Sequence, residues 1–159
     1  MLFRSVLIAA SMKIGAIIGG GEEKNADLLY DFGKNLGLAF QIQDDILDVW
    51  GDSKIFGKKS GGDIVANKKT LPLVKAMEKA SVSQRKILQD LFGSAGNDPE
   101  TKIRKVIDIY VELDVRNTTE ALAREYINKA FDLFRKVSVD DKRKQEMMNI
   151  TSSLIGREY

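Results

Sequence analysis

The chain has 159 residues, with 25 Lys and Arg against 23 Asp and Glu for a net charge of +2. That length suits a single domain, residues 1–159, able to bury a core, and 43% hydrophobic with 30% charged residues excludes general disorder. There is no Cys and no His, which removes disulfides, thiolate and imidazole metal sites, Cys nucleophiles and Ser-His-Asp triads together. A charge balance near zero argues against nucleic acid as the main partner. Chemistry here must run on carboxylates, lysines, amides, hydroxyls or bound ions.

The N-terminal residues carry an apolar run, Val6 to Ala10, but Lys13 interrupts it. Apolar residues at 3, 6, 7, 10, 14, 17 and 18 keep helical spacing, so the segment reads as an amphipathic helix. It does not read as a signal peptide or membrane span, and the chain is expected to be cytoplasmic. Gly19-Gly20-Gly21 should end that helix. A longer helix is expected from about Glu23 to Gly51, apolar on most sides in its second half. Gly51–Lys69, rich in Gly, Lys, Ser and Asp, reads as a long irregular segment, and such loops are usually functional or disordered.

Thr70 should cap the next helix, with Pro72 in its first turn. Ser81 with Gln84 forms a capping box, and Asp98-Pro99 reads as N-cap and N1. Asn117 with Glu120 should open a helix over Thr118–Val137, striped by Leu122, Tyr126, Ala130, Leu133 and Val137. Ser138 with Asp141 should open the last helix. No period-2 pattern appears, so the expected fold is all-α with about seven helices.

The chemistry concentrates on the second helix. Gln41, Asp44, Asp45, Asp48 and Asp52 fall on one arc of about 100°, while Leu38, Phe40, Ile42, Leu47, Val49 and Trp50 occupy the rest. Gly37 lies on the same arc one turn earlier and would leave space for a ligand. A carboxylate stripe among apolar residues is costly unless something cationic compensates it. Oxygen-only donors select a hard cation such as Mg²⁺, which commonly bridges to substrate phosphate. Downstream, Gly57–Asp63 and Asn67–Thr70 add lysines and backbone N–H groups suited to phosphate oxygens.

Phe40-Gln41-Ile42-Gln43-Asp44-Asp45-Ile46-Leu47-Asp48, with Gly57-Lys58-x-x-Gly61-x-Asp63-Ile64 and Asn67-Lys68-Lys69-Thr70-Leu71-Pro72-Leu73, resembles the trans-isoprenyl diphosphate synthases, or polyprenyl synthetases. Asp44-Asp45-x-x-Asp48 is similar to that family's second aspartate-rich motif, and the Lys58 and Lys68 segments to its phosphate-contact loop. The resemblance implies an isoprenoid-synthase-type helical bundle, here its C-terminal half, with a cavity lined by two facing Asp-rich helices. It implies Mg²⁺-dependent condensation of isopentenyl diphosphate with an allylic diphosphate. Asp44 would coordinate Mg²⁺ directly, with Asp45 and Asp48 assisting; Lys58 and Lys68 would hold the allylic diphosphate. Gln41 would stabilise the developing carbocation or position the substrate.

The family's first aspartate motif has no counterpart upstream, and Phe3-Arg4 stand where its Lys-Thr pair is expected. The chain alone is therefore expected to be inactive. The alternative is a non-catalytic subunit or fragment that binds a partner helical chain. A class I terpene cyclase piece fits the Gly57–Leu73 pattern less well. Half a cavity would leave the Leu36–Trp50 helix and the Leu7–Ile18 stripe without neighbours, so a homodimer or a helical partner chain is expected.

Overall fold

The computed structural model describes residues 2–51, 60–93 and 98–155. Every element among them is helical: α1 (Leu2–Ile18), α2 (Glu23–Trp50), α3 (Gly62–Val65), α4 (Leu71–Lys79), α5 (Val82–Gly93), α6 (Pro99–Glu112), α7 (Val115–Arg135) and α8 (Asp141–Ile155). The all-α expectation is met, and the Gly51–Lys69 segment contains one extra helical turn, α3. Two compact units form along the chain, one from residues 1–43 with 122–158 and one from residues 44–121 with 159. The helices α2 and α7 contribute residues to each.

In the first unit α1 lies against α2 at a seam of small residues. Ser5 and Ala9 are fully buried there, opposite Gly33 and Gly37. A Cβ on Gly33 would stand 3.0 Å from the Ala9 Cα, and one on Gly37 only 2.6 Å from the Ser5 Cα. Gly37 therefore leaves no space for a ligand; the backbone of α1 fills it. Phe32, Leu36, Ala130, Phe134 and Val137 form the core of this unit, with the Phe32 and Phe134 rings 4.9 Å apart at 33°, a distance typical of attractive aromatic pairs. Of the Leu36–Trp50 stretch expected to lie without neighbours, Leu36, Ile42, Ile46 and Val49 are buried, whereas Leu38, Phe40, Leu47 and Trp50 are half-buried. Leu7, Ile14, Ile17 and Ile18 of α1, by contrast, are exposed.

In the second unit Val49, Ile64, Leu73, Ala76, Leu88, Leu91, Val106, Ile109, Tyr110 and Val115 make a continuous apolar cluster. Local signals define most helix ends. Ser81 and Gln84 cap reciprocally, Gln84 Oε1 accepting from the Ser81 N–H at 3.0 Å and Ser81 Oγ from the Gln84 N–H at 3.3 Å. Asp98 Oδ2 accepts from the Thr101 N–H at 2.9 Å, with Pro99 following at the start of α6. Lys79 at the end of α4 donates to the carbonyl of Leu113 at 2.8 Å and to Thr118 Oγ1 at 2.7 Å, which satisfies the carbonyl end of α6.

Two helix starts differ from expectation. α7 begins at Val115 rather than Thr118, because Asp114 takes a left-handed φ of 51° and Asn117 donates back to Asp114 Oδ1 at 2.6 Å. The turn thus closes three residues earlier than the Asn117–Glu120 spacing suggests. α8 is capped by Asp140, whose Oδ1 accepts from the Arg143 N–H at 2.9 Å. The Ser138 N–H instead donates to Asn25 Oδ1 at 2.9 Å, a contact 113 positions away in sequence and invisible to local pattern.

The seam of small residues makes a direct prediction. Gly37→Ala should destabilise the chain by about 1–3 kcal/mol, since the clash is with backbone rather than a flexible side chain. Gly15→Ala, where an added Cβ meets nothing within 4 Å, should be neutral or stabilise by about 0.5–1 kcal/mol. Urea unfolding of the two variants separates these outcomes, and equal effects would contradict the close packing of α1 on α2.

Candidate functional site

The carboxylates in the second half of α2, Asp44, Asp45 and Asp48, do not form a solvated face. Asp45 is 5% exposed, and Asp44 and Asp48 are partly buried. Two of them hold the segment that follows. The Asp63 N–H donates to Asp48 Oδ2 at 2.9 Å, and the Leu71 N–H donates to Asp45 Oδ2 at 2.9 Å. Asp63 and Leu71 lie in the first turns of α3 and α4. Each carboxylate therefore satisfies a helix-start N–H that has no partner within its own helix, at the end where the helix dipole favours negative charge. Thr70 occupies the N-cap position of α4, as its sequence suggests, but its side chain makes no capping bond; the acceptor comes from Asp45, 26 residues earlier.

Glycines let the strap approach this closely. Gly61 adopts φ 85°, a conformation that disfavours larger residues, and a Cβ there would meet Ile103 at 2.9 Å. Its N–H donates to the Asp48 carbonyl at 2.6 Å. Gly62 presents no side chain to Asp48, where a Cβ would stand 3.3 Å from Oδ1. Lys68 pairs through Nζ with Asp63 Oδ1. That hydrogen bond and charge, reinforced by Asp48 and Asp45 further off, hold the Lys68 ammonium above its ordinary range. Asp45, Asp48, Asp63 and Lys68 thus occupy one electrostatic neighbourhood.

Asp63, already part of the loop pattern, is the ion-pair partner of Lys68. Two groups here lack a motif to announce them. Lys102 is 4% exposed and donates through Nζ to Asn67 Oδ1. Its signal is periodicity: Lys102, Val106, Ile109 and Tyr110 share the buried face of α6, so a lysine stands at a core position. Tyr110 is 1% exposed, and its hydroxyl has no hydrogen-bond partner among the described residues. Burial, and then the Asp45 charge, push its phenol well above the usual tyrosine value.

Of the residues singled out from sequence, Asp45, Asp48 and Lys68 are brought together. Asp44 is on the same helix within the same unit. Gln41 is part-buried on α2 in the first unit. Lys58 and Asp52 lie outside the described residues. Among the described residues no three carboxylates converge in metal-holding geometry. The donor set here, carboxylate oxygens with neither His nor Cys, suits a hard cation whose remaining ligands are waters and phosphate.

The Polyprenyl synthetase family model matches residues 4–110. The chain belongs to the polyprenyl synthetase family. Within it, the chain is 36% identical over 155 residues to a short chain isoprenyl diphosphate synthase of Methanothermobacter thermautotrophicus, covering 98% of this chain and 46% of that protein. It is similar in structure to a geranylgeranyl pyrophosphate synthetase from Pyrococcus horikoshii Ot3, with a TM-score of 0.85 at 30% identity over 98% of this chain and 46% of that one. A geranylgeranyl pyrophosphate synthase from Corynebacterium glutamicum, complexed with isoprenyl diphosphate and magnesium, aligns with a TM-score of 0.82 at 26% identity, over 95% of this chain and 43% of that one. This polyprenyl synthetase chain spans about half the length of the relatives it matches. No helix among the described residues is long and apolar enough to cross a membrane.

Two measurements test the strap. Asp45→Ala should cost about 1–2 kcal/mol by stripping the acceptor from the start of α4, whereas Asp45→Asn, which keeps an oxygen there, should retain most of that stability. Equal loss in the two variants would mean that charge alone matters. The raised phenol value means that stability from Tyr110 is complete below about pH 10 and is lost as pH rises through the folded value. In an ultraviolet titration of the folded chain, Tyr110 should therefore stay un-ionised above pH 10 and ionise only as the chain unfolds. Ionisation of Tyr110 at the usual tyrosine value before unfolding would contradict that burial.

Proposed function

We propose that this chain supplies the second aspartate helix and the diphosphate-contact strap of a Mg²⁺-dependent prenyltransferase, which condenses isopentenyl diphosphate with an allylic diphosphate to give a longer polyprenyl diphosphate. The observation that carries the reading is the strap itself. Asp45 and Asp48 hold the backbone on either side of Lys68, which sets a lysine beside carboxylates in a polyprenyl synthetase chain.

Asp44, with Asp45 and Asp48, would hold the cation. Magnesium, when bound, would supply positive charge to the leaving diphosphate. Lys68 binds diphosphate oxygens as a point charge, and its pairing with Asp63 keeps the ammonium oriented before substrate arrives. Lys58 would add a second cation from the same loop. Gln41 would face the allylic cation through its amide carbonyl. With neither His nor Cys in the chain, oxygen donors and ammonium groups are the available means of handling a diphosphate. The chain is proposed to act in the cytoplasm.

A second reading is favoured by the exposed α1 residues Leu7, Ile14, Ile17 and Ile18. Here the chain acts as a non-catalytic partner of another helical chain, or as a homodimer, through that apolar face.

The test is a melting experiment with inorganic diphosphate and Mg²⁺ added together. They should raise the unfolding temperature, and Asp44→Ala should abolish the rise. An unchanged rise in the variant would return the carboxylates to a purely structural role. The chain alone should form no product from labelled isopentenyl diphosphate and an allylic primer, and measurable product would contradict a role confined to one half of the machinery.

A further inference from the structure

Lys102 is a buried ammonium that the proposed chemistry does not use. It sits on the apolar face of α6, 4% exposed, with no carboxylate partner among the described residues. Its Nζ donates to Asn67 Oδ1 and stands 4.8 Å from the centre of the Phe92 ring. Burial pulls this ammonium below the ordinary lysine value. Burying a lysine opposite a neutral amide is costly for stability alone.

Asn67 occupies the turn that ends α3. Its φ is 56°, left-handed backbone that asparagine tolerates better than most residues. The Asn67 N–H donates to the Ile64 carbonyl at 3.2 Å and the Lys68 N–H to the Asp63 carbonyl at 2.9 Å. Those two bonds, with Asn67 left-handed, are the Schellman termination of a helix. The turn delivers Lys68 to Asp63, and Asp63 is tied in turn to Asp48. One chain of contacts therefore runs from Lys102 through Asn67 and Lys68 to the Asp48 carboxylate.

We propose that Lys102 is a positioning residue: it clamps the Asn67 side chain from inside the core and so fixes the turn that aims Lys68 at the diphosphate. The inference rests on the proposed role of Lys68, and Lys102 itself touches no substrate. Phe92 supports the clamp, because its ring faces the ammonium that the clamp has desolvated. Asn67 is suited to the turn twice over, by its backbone tolerance and by its side-chain acceptor.

The test pairs amide hydrogen exchange with binding of inorganic diphosphate in the presence of Mg²⁺. Lys102→Met, which keeps the stem and removes the donor, should speed exchange at the Asn67 and Lys68 amides while leaving those of Val106 and Ile109 unchanged. It should also weaken diphosphate binding by about 3- to 10-fold, with the unfolding temperature held or raised. A lower unfolding temperature with no selective change at 67–68 would make Lys102 merely structural and overturn the proposal. Should Lys102→Met fail to fold, two Asn67 variants decide. Asn67→Gly keeps the backbone conformation but loses the acceptor, and should weaken binding; Asn67→Asp keeps an acceptor and should not. Equal affinity in the two overturns the proposal. If the unmodified chain does not bind diphosphate with Mg²⁺, the proposed function falls, while the exchange pattern still decides whether Lys102 holds the turn.

Discussion

The placement of the segment from α3 to α4 against α2 depends on two carboxylates finding backbone donors. Asp45 and Asp48 sit on a helix whose other faces are apolar, and a desolvated carboxylate without a partner costs several kcal/mol. The fold meets that cost with the N–H groups of Asp63 and Leu71, which are short of partners because they open helices. Two deficits of opposite sign cancel. The same bonds determine where α3 and α4 begin and place the segment between them, with Lys68 at its centre, against α2.

The strap explains why so many small residues gather at its start. Gly61 and Gly62 bring the backbone within reach of Ile103 and Asp48, where any side chain would intrude. The far end of the strap is held by opposite means, with a long side chain reaching out of the core from Lys102 to Asn67. One end is close because side chains are missing, the other because one is long. Next to Asn67, Lys68 faces carboxylates that hold its proton firmly. In the first unit close approach again rests on absent side chains, at Gly33 and Gly37 against Ala9 and Ser5.

Much of this was legible from local pattern, wherever the physics is local. The Ser81–Gln84 box and the Asp98-Pro99 start appear where their spacing places them. The end of α1 at Ile18 follows from the glycines after it. Pattern failed where a distant residue competes for the same backbone group. Ser138 looks like a helix cap, yet its N–H is taken by Asn25, and Asp140 caps α8 instead. Thr70 stands at the N-cap position of α4, yet the N–H at that helix start is claimed by Asp45. Gly37 was expected to open space toward a ligand, but a glycine vacates volume that any neighbouring backbone can fill, and here Ser5 does so.

By itself the sequence determined the all-helical class, the family motif on α2 with its lysine-bearing loop, and an oxygen-and-ammonium chemistry forced by the absence of Cys and His. These are properties of composition and of periodicity along one helix, and they need no third dimension. Only the tertiary structure decided what the aspartates hold, that Lys102 is buried against Asn67, and that the Tyr110 hydroxyl lies in the core near the Asp45 charge. Those pairings join residues 26 to 65 positions apart, as in Leu71 with Asp45, Lys102 with Asn67 and Tyr110 with Asp45. A carboxylate on a helical wheel reads alike whether it meets a cation, water or a backbone N–H, and packing alone selects among them.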